Sequence, residues 1–382
     1  MGYLSKACLV SGLSASLLCG CGRGYAVYQF DNGDDYVSEG VRRVVDGRGR
    51  IGFADESGRV AVEPRFAFAF PFSDGVAKVS DSGRMVSDGE HSRWESDSWY
   101  YVDHSGKRVS ALEERLRECV GGIDARVGVA VIIDGRDTVA VHGGERFPML
   151  SVYKFPQALA VARHCMERGM SFADSLDISA SEMKTDTWSP MREKYGVRDL
   201  RLPLMELLAY TLQQSDNNAC DVLFRFIGGP AVADSLMRSE GFADIRIVST
   251  EDEMHADTRR CYDNYSTPLA MAALFDRFNR EMRCASAEYA TIARLAETCA
   301  TGTDRLARGL AASGLTLGHK TGTGDTDSLG RIMAVNDAGY VNLSGGRRCA
   351  VAVFVSDAAC TMAEASALIA RISSIVYDSI AQ

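Results

Sequence analysis

The sequence lacks the patterns that usually hold metal ions or bind nucleic acids. Its six histidines form no H-x-H or H-E-x-x-H motif, and its eleven cysteines include no C-x-x-C pair. These absences argue against the common zinc sites, and we expect no metal and no cofactor. The chain has no run of basic residues, and its 51 acidic against 42 basic side chains give a net charge of −9. We therefore expect no nucleic-acid partner.

The start of the chain lacks an apolar run long enough to span a membrane. Residues 7–18 are mostly apolar or small and follow Lys6, which is typical of a secretory signal peptide rather than a spanning helix. We place this leader at residues 1–21. Its end resembles a bacterial lipobox in which Cys21 is lipidated, although Cys19 departs from the usual small residue. We expect an exported, periplasmic protein anchored to the membrane through Cys21; cleavage nearby to a soluble periplasmic protein is the alternative.

The cysteines beyond the leader are dispersed along the chain. An exported protein can form disulfides. Several of these cysteines lie in apolar contexts that are equally typical of buried thiols. Their pairing therefore stays open.

Ser151 and Lys154 are the first residues that suggest chemistry. They lie one helical turn apart, so a hydroxyl and an amine on one face can share a proton. A serine hydroxyl is a poor nucleophile until a neighbouring base takes its proton. The apolar run 155–163 predicts a helix that places Ser151 at its N-terminus, where unpaired N–H groups favour negative charge. An S-x-x-K pair alone is common by chance.

Two further motifs follow in order, Ser215-Asp216-Asn217 and Lys320-Thr321-Gly322. The pattern of residues 202–214 predicts an amphipathic helix, so the first triplet would open the loop after it. The second triplet belongs to an expected strand, where Gly322 lets a ligand approach the backbone closely. Alone they are typical of a polar turn and a strand start. Together with S-x-x-K they are typical of class A β-lactamases and penicillin-binding proteins.

A glutamate loop between these motifs separates the two families. Residues 251–255 resemble the omega-shaped loop of class A β-lactamases, whose glutamate, here Glu251, positions the water that hydrolyses the acyl-enzyme. Penicillin-binding proteins lack this loop. His255 stands where the family usually has asparagine, as in the PER-like extended-spectrum branch, and further segments are similar to that branch: 151–156, 184–190, 319–323 and 335–340. The resemblance spans residues 112–382.

The resemblance implies an α+β fold of the serine β-lactamase/transpeptidase type. An antiparallel sheet with helices would pack against a helical sub-domain, and the site would lie in the cleft between them. The strands of the sheet are expected at residues 126–134, 137–142, 315–323, 331–342 and 348–356.

The same resemblance implies the catalytic roles. Ser151 would attack the lactam carbonyl, and either Lys154 or Glu251 through a water would remove its proton. The backbone N–H groups of Ser151 and Thr323 would form the oxyanion hole. Ser215 would relay a proton to the departing nitrogen, and Glu251 would activate the deacylating water.

Substrate binding is expected from seven matched residues: Asn217, Lys320, Thr321, Gly322, Thr323, Arg305 and Trp188. Asn217 would bind the substrate side-chain amide, and Lys320 with the threonines would bind the carboxylate. Arg305 matches an arginine that faces this carboxylate, and a solvated helix-end arginine is the alternative. Trp188 matches the aromatic gate of the family or, alternatively, a core tryptophan. His255 is expected to shape its loop.

Residues 22–110 contain an internal repeat. Segment 38–44 recurs as 73–79, and segment 52–60 recurs as 100–108 after a polar insert near 82–93 that we expect to be a loop. Alternating apolar residues and D-x-x-G turns predict a small all-β domain of hairpins that resembles WG-repeat modules. Its role is either that of a spacer or the binding of a cell-envelope partner.

We therefore predict a leader (1–21), a WG-repeat-like domain (22–110) and a catalytic domain (111–382). The expected protein is a monomeric class A serine β-lactamase (EC 3.5.2.6) that acts on β-lactam small molecules and gives antibiotic resistance. A penicillin-binding D-Ala-D-Ala peptidase and a non-hydrolytic β-lactam sensor are the alternatives, and Glu251 argues against both. The spectrum among penicillins, cephalosporins and carbapenems stays open.

Overall fold

The structure is a computed structural model that describes residues 24–30, 33–88 and 91–381. The predicted leader and Cys21 lie outside the described residues. The chain divides into two compact units between Glu114 and Arg115.

The first unit is built from short antiparallel strands. Its strands are β1 (Ala26–Val27), β2 (Gln29–Phe30), β3 (Gly33–Asp34), β4 (Val41–Val45), β5 (Ile51–Asp55), β6 (Val60–Phe66), β7 (Phe68–Ala69), β8 (Val76–Ser80), β9 (Arg84–Asp88), β10 (His91–Glu95) and β11 (Trp99–Asp103). They form sheets in the orders β1-β4-β5-β6 and β11-β8-β7, with hairpins β2-β3 and β9-β10. The core contains Phe53, Phe66, Phe68, Phe72 and Val102.

The polar insert of the second repeat is not a loop. It forms the β9–β10 hairpin, with Trp94 paired to Met85. The Trp94 ring stacks on Phe68 at 5.4 Å, and its Nε1 donates to the Ser80 hydroxyl at 3.0 Å. The expectation of a loop was wrong because the packing of one partly buried tryptophan, Trp94, outweighs the surrounding polar composition.

Arg43 on β4 is buried in the first unit. Its guanidinium pairs bidentately with Asp35, with Nε–Oδ2 at 2.9 Å and Nη2–Oδ1 at 2.6 Å. Nη1 also donates to the Ala69 carbonyl. A buried charge is tolerated here because each of these donors has a partner.

The second unit contains a five-stranded antiparallel sheet in the order β13-β12-β21-β20-β19. Its strands are β12 (Arg126–Ile133), β13 (Asp137–Val141), β19 (Leu317–Thr323), β20 (Ile332–Asn342) and β21 (Arg348–Ala358). A small three-stranded sheet in the order β14-β18-β17 contains β14 (Phe147–Pro148), β17 (Ile245–Arg246) and β18 (Tyr265–Ser266). Strand β15 (Ser175–Ile178) pairs with β16 (Leu200–Pro203). All five predicted strands of the main sheet are present with ends within two residues of the expected ones.

The helices are α1 (Ala111–Val120), α2 (Lys154–Arg168), α3 (Pro190–Tyr195), α4 (Leu204–Gln213), α5 (Asn217–Ile227), α6 (Pro230–Ser239), α7 (Glu251–Ala256), α8 (Pro268–Arg277), α9 (Ala287–Glu297), α10 (Leu306–Gly309) and α11 (Met362–Ile380). The Phe155 ring of α2 stacks on Phe275 of α8 at 4.1 Å and meets Phe278 edge-on. This packing holds the start of α2 against α8. Within the described parts of the chain, no helix has the length and apolarity needed to cross a membrane.

One local expectation was wrong and one held in part. The expected helix over 202–214 begins at Leu204, because Leu202 and Pro203 pair with β15 in β16. Ser215 and Asp216 lie in the connection after α4, as expected, but this connection is short and leads directly into α5. Asp216 caps α5 by accepting the Ala219 N–H at 2.8 Å, and Asn217 is the first helical residue.

Candidate active site

Ser151 lies in a single 3₁₀ turn, Leu150–Tyr153, that runs directly into α2. The sequence predicted a helix N-terminus at this point, and the structure adds a tighter turn before the α-helix. Leu150 has a φ of 46°, a left-handed conformation that is costly for a branched side chain. The Asn336 amide donates to the carbonyls of Pro148 and Met149, which holds the turn in place.

Lys154 is buried below Ser151 and makes three polar contacts. Its Nζ donates to the Ser215 carbonyl at 2.9 Å and to Asn217 Oδ1 at 2.6 Å. It also forms an ion pair with Glu251 Oε1 at 2.9 Å. Burial lowers the pKa of Lys154, but the negative charge of Glu251 more than offsets this, and the pKa lies above its usual value. The amine is therefore a cation at neutral pH.

The same carboxylate oxygen contacts the serine. Ser151 Oγ donates to Glu251 Oε1 at 3.4 Å, so the hydroxyl and the Lys154 amine meet at one acceptor. Glu251 is the first residue of α7, where Thr250 and Glu253 form a capping box. The Asn264 side chain accepts the N–H groups of Val248 and Ser249, and this ties down the entry to α7.

Asp221 supports the glutamate, and the sequence reasoning missed it. Its carboxylate, on α5, accepts the backbone N–H of Glu251 at 2.8 Å and that of Asp252 at 2.9 Å. Burial raises the pKa of Asp221 to about 7. A signal was available, because Asp221 lies four residues after Asn217 and so on the same face of any helix that begins there.

Ser215 and Lys320 come together from opposite sides of the site. Ser215 has a left-handed φ of 59°, which turns its carbonyl to Lys154 and its hydroxyl to Lys320 Nζ at 3.0 Å. Lys320 is fully buried on β19 and also donates to the Thr321 carbonyl. Burial lowers the pKa of Lys320 to about 8.

Gly322 brings β19 against the nucleophile turn. A Cβ at this position would lie 2.4 Å from the Met149 carbonyl oxygen and 3.2 Å from the Ser151 nitrogen. Only glycine fits at this distance. The close approach brings Gly322, the neighbour of Thr323, against the Ser151 nitrogen, and the oxyanion hole of Ser151 and Thr323 stays a prediction.

Arg305 braces the same strand. It is only 6% exposed, so the alternative of a solvated helix-end arginine is wrong. Nη1 donates to the carbonyls of Gly322 and Asn336, and Nη2 donates to the Thr323 hydroxyl at 2.7 Å. Burial lowers the pKa of Arg305. The guanidinium reaches the predicted carboxylate pocket through Thr323, and a direct contact with substrate stays a prediction.

The rim of the site contains Trp188 and His255. Trp188 is 57% exposed and donates from Nε1 to the Gln214 carbonyl, so the alternative of a core tryptophan is wrong. The Trp188 carbonyl accepts the Asn217 N–H. His255 Nε2 lies 3.1 Å from Asp186 Oδ2 and links α7 to the tryptophan segment.

A small cavity lies beside Glu251, between α5 and α7. Its volume is about 10 Å³, and Asn217, Asp221 and His255 are among its lining residues. This is room for about one water molecule in polar surroundings. In the described part of the chain, no three His, Cys, Asp or Glu side chains are grouped as metal ligands.

Comparison with known proteins identifies the class. A family model described as the β-lactamase enzyme family matches residues 111–380, and one for the WG-containing repeat matches residues 51–84. The chain therefore belongs to the β-lactamase enzyme family. The predicted resemblance to class A β-lactamases and to WG repeats is confirmed, as is the fold class.

Three individual relatives show how similar the chain is to known β-lactamases. A β-lactamase of Phocaeicola vulgatus is 34% identical, covering 72% of this chain and 86% of the relative. The extended-spectrum β-lactamase PER-1 of Pseudomonas aeruginosa is 32% identical, covering 70% and 86%. The crystal structure of a representative class A β-lactamase from Bacteroides cellulosilyticus DSM 14838 has 32% identity and a TM-score of 0.67, covering 70% of this chain and 96% of its own.

Proposed function

We propose that this protein is a class A serine β-lactamase (EC 3.5.2.6) that hydrolyses the β-lactam amide bond through an acyl-enzyme on Ser151. One observation carries the proposal. Glu251 Oε1 contacts both the Ser151 hydroxyl and the Lys154 amine. The nucleophile and the cation therefore both bind to the same oxygen of the base. The outcome is inactivation of the antibiotic.

Glu251 is the better candidate for the acylation base. The raised pKa of Lys154 keeps the amine protonated, and a protonated amine cannot accept the hydroxyl proton. Glu251 accepts it instead, directly or through a water. Lys154 then stabilises the negative charge near the reacting carbonyl. The N–H groups of Ser151 and Thr323 bind the oxyanion, a contribution of about 3–4 kcal/mol for each donor in comparable enzymes.

The departing nitrogen needs a proton, and Ser215 is placed to supply it. Its hydroxyl lies 3.0 Å from Lys320 Nζ. Ser215 gives its proton to the nitrogen as the C–N bond breaks. Lys320 restores that proton, a transfer that is easier because burial has lowered the pKa of the amine to about 8.

Water then removes the acyl group from Ser151. Solvent first returns a proton to Lys320 and removes the one that Glu251 took from Ser151. Glu251 then takes a proton from the water, the hydroxide adds to the ester carbonyl, and that proton passes to the Ser151 oxygen as its C–O bond breaks. The polar cavity beside Glu251 has room for about one water molecule, which supports this step. Substrate is held by Lys320, Thr321 and Thr323 at its carboxylate, and by Asn217 at its side-chain amide.

A chromogenic cephalosporin distinguishes this function from the alternatives. The purified protein should turn over many equivalents, whereas Ser151→Ala should show none. Glu251→Gln should accumulate an acyl-enzyme that mass spectrometry detects. A single stoichiometric burst in the wild type would instead indicate a penicillin-binding peptidase or a β-lactam sensor.

A further inference from the structure

Cys299, His319 and Asp337 form a cluster of titratable groups behind the Lys320 strand, and the proposed reaction uses none of them. His319 on β19 and Asp337 on β20 are buried, with Nδ1 and Oδ1 2.8 Å apart. The second oxygen of Asp337 accepts the Leu306 N–H at 3.2 Å. Cys299 follows α9, close enough to His319 for the charge of the imidazole to act on its thiol.

The charges in this cluster favour a thiolate. Burial lowers the pKa of His319, but the charge and hydrogen bond of Asp337 more than offset this and raise it to about 10. Burial raises the pKa of Cys299, but His319 and then Lys320 outweigh it and lower the pKa to about 7. Reactive cysteines typically lie near a positively charged imidazolium, and here a carboxylate stabilises that imidazolium.

Cys299 is partly exposed and is linked to the site by hydrogen bonds. Its Sγ lies 3.3 Å from Thr301 Oγ1, which lies 2.6 Å from Thr321 Oγ1. Gly302 packs so tightly that a Cβ there would lie 2.4 Å from the Thr321 methyl group. Segment 299–302 thus supports a threonine assigned to the substrate carboxylate.

We propose that Cys299 is a redox modification site that reacts with low-molecular-weight disulfides and thereby weakens substrate binding at Thr321. The Cys299 thiolate attacks one sulfur of the disulfide, a new S–S bond forms, and the original S–S bond breaks. The leaving thiolate takes a proton from solvent. Cys299 is oxidised to a mixed disulfide while the small disulfide is reduced to one thiol. The added group occupies the space beside Thr301 and separates it from Thr321.

The chemical half of the proposal is tested with glutathione disulfide and the full mature chain, using peptide mass mapping. Cys284, which is exposed and lies outside the cluster, is the internal reference. At neutral pH Cys299 should react about tenfold faster than Cys284, because its thiolate fraction is larger. His319→Asn should remove this advantage and leave Cys284 unchanged. Equal rates at the two cysteines in the wild type would overturn the proposal.

A second measurement does not depend on the folding of a buried-site variant. In the wild type, the rate of alkylation of Cys299 by iodoacetamide should level off above about pH 7, the pKa of this thiol. A rate that still rises steeply through pH 8 would contradict the thiolate at Cys299.

The functional half rests on the proposed β-lactamase activity. Glutathionylated wild type should show a kcat/KM about fivefold to tenfold lower, mainly through KM, the loss expected from one hydrogen bond. Dithiothreitol should restore it. Cys284→Ser should remain sensitive to the disulfide and Cys299→Ser should not. Modified enzyme with unchanged KM would refute the coupling, whereas absent turnover in untreated enzyme would refute the function and leave the labelling result standing.

Discussion

Lys320 carries the charge that the proposed substrate carboxylate requires, and that charge is sensitive to pH. Because burial lowers its pKa to about 8, Lys320 is a cation below that pH and loses its proton above it. We therefore expect kcat/KM for an anionic β-lactam to fall as pH rises through about 8, since kcat/KM reports ionisations of the free enzyme. Lys320→Arg is the matched variant, because a guanidinium stays protonated and should move the fall to higher pH. A fall at the same pH in both enzymes would assign it to another group.

Gly322 is the residue whose size matters most for the oxyanion hole. An added methyl group would lie 2.4 Å from the Met149 carbonyl oxygen, so Gly322→Ala must push β19 away from the nucleophile turn. The Thr323 N–H would move with the strand, and we expect kcat to fall about 10²–10³-fold, as when one oxyanion donor is lost. Gly144→Ala is the control, because nothing lies within 4 Å of a Cβ at that position. Wild-type kcat in Gly322→Ala would contradict the assigned contact.

At the scale of the element, the stability of helix α7 depends on contacts with neighbouring residues. It has six residues, too few to be stable alone, and Asp221 accepts the N–H groups of Glu251 and Asp252 at its start. Asp221→Ala should let Glu251 drift and slow deacylation about tenfold to a hundredfold, the cost of leaving such donors without a partner. An acyl-enzyme should then accumulate in mass spectra. Asp221→Asn keeps one acceptor oxygen and should lie between; equal loss of acylation and deacylation would indicate a general structural role instead.

Elements could be predicted from sequence where one local pattern determines them. Strands β12, β20 and β21 are largely apolar runs, and the ends of all five main strands that the resemblance implied are accurate to two residues. The start of α4 was missed, because Leu202 fits a helical stripe but its backbone pairs with Leu176 instead. The β9–β10 hairpin was missed because Trp94 packs on a distant ring. Tertiary contacts decided both.

At the scale of the whole molecule, the sequence predicted which residues form the site but not which of them are in contact. Ser151, Ser215, Glu251 and Lys320 were found because each lies in a short contiguous motif. The ion pair of Lys154 with Glu251 joins residues nearly a hundred positions apart, and only the fold determines its length. Arg305 was matched by its local motif, while its burial behind β19 depends on the strand pairing. Domain limits at 21 and 110 stay predictions.

Attachment to the membrane would place the whole chain at an envelope surface, with the repeat unit as a spacer or as a binding module for an envelope partner. We propose that Cys21 is lipidated after export. Each buried CH₂ of an acyl chain contributes about 0.8 kcal/mol, so several chains hold a protein on a bilayer without any spanning helix. In a bacterial host fed an alkyne fatty acid, the wild type should be labelled and sediment with membranes. Cys21→Ser should lose the label, whereas Cys19→Ser, two positions away, should keep it. A labelled Cys21→Ser protein would overturn the assignment, and an unlabelled wild type in the soluble periplasmic fraction would favour cleavage at a neighbouring position.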